Sequence, residues 1–135
     1  MKYESFPADG SLIRALMTRS QSVASGEGGT LFYQGEAPKG LFILEQGEVV
    51  LVMLSDAGRA IMCVEAGPGS VLGLSGVIAN RPFTMTALIR KGSRASFVTR
   101  EEFEKTLQEE PELYTSVLRV LAADYRSVQE AIAES

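Results

Sequence analysis

Between Ser20 and Thr99 the sequence divides into short β-type runs, each closed by a glycine-bearing turn, and that rhythm limits the possible folds more than any other feature. The runs are Gln21–Ala24, Thr30–Tyr33, Leu41–Gln46, Glu48–Leu54, Ala60–Ala66, Thr84–Leu88 and Ala95–Thr99. Between them stand Gly26 to Gly29, Gly35 to Gly40, Asp56 to Gly58, Gly67-Pro68-Gly69 and Lys91-Gly92-Ser93. Glycine tolerates the positive φ that tight turns demand, so Asp56-Ala57-Gly58 predicts a hairpin tip. Short strands at nearly even spacing predict a mainly β fold, either a sandwich or a closed barrel.

The flanks change period. Leu12, Ile13, Leu16 and Met17 fall at helical spacing behind Ser11, a candidate N-cap, so the chain to about Arg19 predicts a short opening helix. Past the β region, Thr99 and Glu102 have the spacing of a capping box, and Pro111 suits the first turn of a second, longer helix. Within that helix Tyr114, Leu118, Leu121, Tyr125, Val128 and Ile132 recur at alternating intervals of four and three, a heptad seam. The seam either packs along its own barrel or pairs with a second copy in a homodimer. Val117 and Val120 widen the apolar surface enough to serve both. One domain is expected over residues 1–135: a helical start at 1–19, a β-barrel at 20–99 and helices at 100–135. Nothing further is expected after Ser135.

Composition removes whole classes of chemistry. The 135 residues are 45% apolar, sufficient for a core without disulfides. The chain has no histidine, hence no usual general base and no usual zinc or haem ligand. No metal site, no cofactor and no enzymatic activity are expected. Cys63, the single cysteine, predicts buried filler in its strand and agrees with a reducing compartment. No apolar stretch is long enough for a membrane helix, and Glu4 interrupts any secretory signal, so a cytoplasmic location is expected. A net charge of −4 argues against a general nucleic-acid surface, although Arg90, Lys91 and Arg94 cluster locally. Glu101, Glu102, Glu104, Glu109, Glu110 and Glu112 read as a solvated helix face, with Lys105 placed to pair with Glu101.

Several motifs resemble one family. Gly29-Thr30, Phe32-Tyr33-Gln34-Gly35-Glu36, the run from Leu41 to Val49 with its Gln46-Gly47-Glu48 turn, Gly67-Pro68-Gly69-Ser70 and the stretch from Ala95 to Phe103 resemble the cyclic-nucleotide-binding domain. More closely, they are similar to the sensor half of the Crp/Fnr transcription regulators, over roughly Leu16 to Ile132. The resemblance implies a jelly-roll β-barrel followed by a long dimerisation helix. It also implies a ligand cassette, here Gly73 to Ala87, in which backbone N–H groups and an arginine hold a phosphate while a glutamate accepts from a ribose hydroxyl.

The candidate cassette residues are Gly73, Leu74, Ser75, Arg81, Phe83 and Thr84. Leu74 stands where the family's glutamate is expected and Phe83 where its arginine is expected, while Thr84 keeps the neighbouring hydroxyl. Each lost charge-assisted partner typically costs about 1.5–3 kcal/mol, so neither cyclic AMP nor cyclic GMP is an expected ligand. Leu72, Leu74, Val77, Ile78, Phe83 and Met85 suggest a pocket for an uncharged or apolar ligand, or for none. Three roles follow: a dimeric ligand-sensing or regulatory module, a structural dimerisation or protein-interaction domain with a vestigial pocket, or a cyclic-nucleotide sensor in which Arg81 replaces the missing arginine. Full-length relatives carry a helix-turn-helix domain after this helix. With the chain ending at Ser135, direct DNA binding is not expected, and regulation would pass through a protein partner.

Overall fold

The computed structural model describes residues 2–4, 8–23 and 26–133. Along the chain run β1 (Lys2–Glu4), α1 (Gly10–Met17), β2 (Gln21–Val23), β3 (Gly29–Phe32), β4 (Gly40–Gln46), β5 (Val49–Leu54) and β6 (Ala60–Ala66). There follow β7 (Val71–Leu72), α2 (Leu74–Ala79), β8 (Thr86–Ile89), β9 (Arg94–Thr99), α3 (Arg100–Glu109) and α4 (Leu113–Ala133). One sheet has the order β1-β6-β5-β8-β3 and the other β2-β9-β4-β7. Apart from the parallel β1–β6 pair, neighbours are antiparallel. From β3 onward the chain crosses repeatedly between the sheets, which is the jelly-roll arrangement expected from the turns.

The two faces of the smaller sheet explain the apolar run in β4. Leu41 and Ile43 join a cluster with Leu12 and Leu16 of α1, Phe103 and Leu107 of α3, and Leu113, Val117 and Val120 of α4. Leu44, with Phe42 packed beside it, faces the barrel interior among Phe32, Val49, Leu72, Ala87 and Ile89. A strand buried on both faces cannot alternate with polar residues, hence the unbroken Leu41-Phe42-Ile43-Leu44. Each such leucine contributes about 1.5–3 kcal/mol by leaving water.

Turns and caps follow local chemistry, with corrections. Gly58, at φ 82°, closes the expected hairpin, and the Gly58 N–H donates to the Ser55 carbonyl at 2.9 Å. Asp9, not Ser11, caps α1: its carboxylate accepts from the Leu12 N–H at 3.0 Å and from the Ser11 hydroxyl at 2.8 Å. An ionised acceptor is stronger than a hydroxyl, and the Ser116 hydroxyl of α4, the Leu12 N–H and Ser11 together hold the Asp9 carboxyl down at about 2. The helix ends at Met17 rather than near Arg19, and residues 2–4 form a strand instead of helix.

The Thr99 hydroxyl does cap α3, accepting from the Glu102 N–H at 3.1 Å. The Glu102 carboxylate, expected to complete that box, instead receives Arg19 at 3.1 Å. Arg19 also pairs with Glu109, so α1 is tied to α3, and the expected Glu101–Lys105 pair is not formed. Pro111 lies in the turn before α4, which begins at Leu113. The strand expected over Thr84–Leu88 starts later, as β8, because Phe83 bonds to a loop instead: its N–H donates to the Glu36 carbonyl at 3.0 Å and its carbonyl accepts from Gly35 at 2.7 Å. Ala24, expected to end β2, lies outside the described residues. Cys63 is half-buried rather than core filler, since inward Met62 and Val64 leave it on the outer face. No described helix is long and apolar enough to cross a membrane.

Candidate functional site

The cassette keeps a distinctive backbone. Gly73 adopts φ 85° at the start of α2, the helix runs from Leu74 to Ala79, and Asn80 closes it at φ 53°. Its side chains are apolar where the resemblance implies ligand-binding polar groups. Leu74, 3% exposed, belongs to the cluster under the helices. Phe83, 6% exposed, stacks on Phe32 with ring centroids 4.0 Å apart, and Phe32 in turn lies 5.9 Å from Phe42.

The Phe83 ring also covers the first turn of α2. A Cβ added at Gly73 would lie 2.9 Å from its Cε1, and one added at Gly76 would lie 3.0 Å from its Cδ1. Both glycines therefore leave room for the ring. Side chains at these two positions would displace it, because contacts this short are not tolerated in a packed interior.

Beside this filled region an open cleft of about 340 Å³ remains. The barrel wall supplies Leu51 and Met53 from β5, Met62 and Val64 from β6, and Met85 ahead of β8. The cassette supplies Leu72, Gly73, Leu74, Ser75, Phe83 and Thr84, with the Ser75 and Thr84 side chains exposed. Helix α4 closes one side with Leu121, Asp124, Tyr125 and Val128. Among the described residues no lysine or arginine lines the cleft, and Asp124 is its one charged residue. Arg81 is exposed and does not line it, so five of the six expected cassette residues share the cleft and Arg81 does not.

Sequence reasoning placed Val77 and Ile78 in the same pocket, but they line a separate groove of about 300 Å³ with Phe103, Leu107, Tyr114 and Leu118. It missed Leu51, Met53, Met62 and Val64. Their signal was present as inward alternation on β5 and β6, which becomes a wall only once those strands pair.

The apolar residues of α4 divide. Leu113, Val117 and Val120 anchor α4 to the body of the protein, while Leu118 and Tyr125, 64% and 65% exposed, face outward with Tyr114 and Ile132. Leu121 and Val128 are half-buried along the cleft. Three seam residues, Leu121, Tyr125 and Val128, are thus also cleft residues. At the β8–β9 turn, at the other end of β8 from Met85, Arg90 pairs with Glu48, and Arg94 lies 3.8 Å from Glu45.

The model of the cyclic nucleotide-binding domain matches residues 23–110. The chain is 28% identical over 124 residues to the CRP-like cAMP-activated global transcriptional regulator of Mycobacterium tuberculosis, covering 92% of this chain and 55% of the relative. The chain spans about half the length of the curated relatives it matches. Its fold is similar to that of the Thermus thermophilus catabolite activator protein, with a TM-score of 0.78 at 20% identity over 93% of this chain and 58% of that one. Oxidized CprK in complex with o-chlorophenolacetic acid also gives a TM-score of 0.78, at 14% identity over 98% of this chain and 54% of that one. The matched model spans β3 to β9 together with the cassette, and by that match the chain belongs to the cyclic nucleotide-binding domain family, with CRP-like transcription regulators among its relatives.

Proposed function

We propose that the chain is a non-catalytic, cytoplasmic regulatory module of 135 residues, acting as one domain and as a homodimer, whose cleft takes an uncharged and largely apolar small ligand. The observation that carries this reading is the lining of the cleft: among the described residues no lysine or arginine contributes to it, and the cassette offers Leu74 and Phe83. An anionic cyclic phosphate entering a partly apolar site needs a matched cation or it loses most of its hydration free energy. Leu74 and Phe83 supply neither a cation nor an acceptor.

Signalling is read from α4. Leu121, Tyr125 and Val128 meet both the cleft and the seam, so a bound ligand contacts the helix through which a second copy would pair. A fold neighbour in complex with o-chlorophenolacetic acid supports a fold that carries more than one ligand class. Output passes through a protein partner rather than through DNA held by this chain. Its charge is −4, and its Arg90 and Arg94 face carboxylates.

The structural-platform reading keeps one specific support, the Phe83 ring filling the cassette. Arg81, outside the cleft lining, gives the cyclic-nucleotide reading little. Leu121 touches both cleft and groove, which makes Leu118 the cleaner probe of dimerisation. Sedimentation equilibrium is expected to give a dimer for the parent and a monomer for Leu118→Glu, with unchanged circular dichroism. A monomeric parent, or a variant that stays dimeric, contradicts the proposal.

A further inference from the structure

Three of the chain's five methionines, Met53, Met62 and Met85, converge on the cleft. Their placement follows from register. Met53 pairs directly with Met62 across β5 and β6. Met85 immediately precedes Thr86, whose partner is Val52, so Met85 stands beside Met53 on the other flank. The three thioethers form one row across adjacent strands, and the stacked Phe32–Phe83 pair bounds the same space.

Leucine or valine would fill a simple apolar wall with better-defined shape. A methionine row adds polarisable sulfur, which favours the edges and faces of aromatic rings over saturated carbon. Phenyl rings at the cassette side add offset stacking of the same preference. From these surfaces we infer that the ligand is a neutral aryl compound of one or two rings, bearing one hydroxyl or carbonyl group that meets Ser75 or Thr84. This deepens the apolar-ligand reading above and rests on it. The volume, about 340 Å³, lies at the small end of ligand pockets and suits a ligand of that size. Among the described residues no lysine or arginine lines the cleft, which selects against an anionic ring system.

The test compares 2-naphthol with its saturated counterpart 2-decalol, by titration calorimetry on the full chain. The expected result is about tenfold tighter binding of 2-naphthol, the product of three modest sulfur–ring preferences. In the triple variant M53L/M62L/M85L, which keeps volume and apolarity, decalol binding persists and the preference falls below about threefold. Equal affinity of the two probes for the parent overturns the aryl inference while leaving an apolar cleft standing. Binding of neither at millimolar concentration overturns both. The parent comparison decides the matter even if the triple variant does not fold.

Discussion

At Gly47 the chain turns with φ 93°, and the space a side chain would need is held by Ser93, whose Oγ lies 2.1 Å from an added Cβ and whose Cα lies 2.7 Å away. At Gly73 it turns with φ 85°, and the corresponding space is held by the Phe83 ring. The two glycines serve different structures. Gly47 admits the backbone of a neighbouring turn, where the Glu48 N–H donates to the Ser93 hydroxyl at 3.0 Å, and so belongs to the frame of the barrel. Gly73 admits a side chain, the Phe83 ring, at the start of α2. The difference teaches that the frame and the contents of this fold are held by different kinds of contact. Turn geometry is set by close approach of backbone, whereas the cassette's chemistry is set by side chains that the frame does not specify.

The comparison predicts comparable stability losses from chemically unlike causes. Gly47→Ala carries the largest expected effect, about 4 kcal/mol, combining left-handed strain with a clash against backbone that cannot swing away. A urea midpoint shifted at constant slope checks it. Phe83→Ala is expected to lose about 3 kcal/mol through the cavity beneath Phe32. A loss below about 1 kcal/mol would mean that the ring is a removable cover rather than core, and the contrast with Gly47 would be broken on the cassette side.

Asp9→Ala gives the smallest expected effect, about 1 kcal/mol at neutral pH, since the carboxylate is exposed and acts mainly as a cap. The Asp9 carboxyl is lowered from 3.8 to about 2 by the Ser116 hydroxyl, the Leu12 N–H and Ser11. A lowered folded value means that its contribution is complete above about pH 4 and is lost as the pH falls toward 2. The variant's stability–pH curve is expected to be flatter in that interval. An unchanged curve would detach the α1 cap from the frame.

Much of the frame was legible because its signals are local. Glycine turns, the Thr99 cap and the period of α4 depend on residues within one turn or one strand. What was not legible depended on distant partners. Asp9 outcompetes Ser11 as cap with help from Ser116 of α4, and Glu102 leaves its capping box for Arg19. β1 and β7, of three and two residues, are too short to carry a period. In the cleft, the motif was enough to bring Leu74 and Phe83 into one lining. The methionine row and the second role of Leu121 and Val128 arise only when strands and helix meet. The Phe83 ring over Gly73 is likewise a contact no spacing encodes.

Titration calorimetry with cyclic AMP and cyclic GMP, carried to millimolar concentration, tests the central claim most directly. Among the described residues no lysine or arginine lines the cleft, and that lining predicts no measurable binding heat from either nucleotide. A micromolar dissociation constant, abolished by Arg81→Ala, would contradict it and make the exposed loop arginine the phosphate anchor.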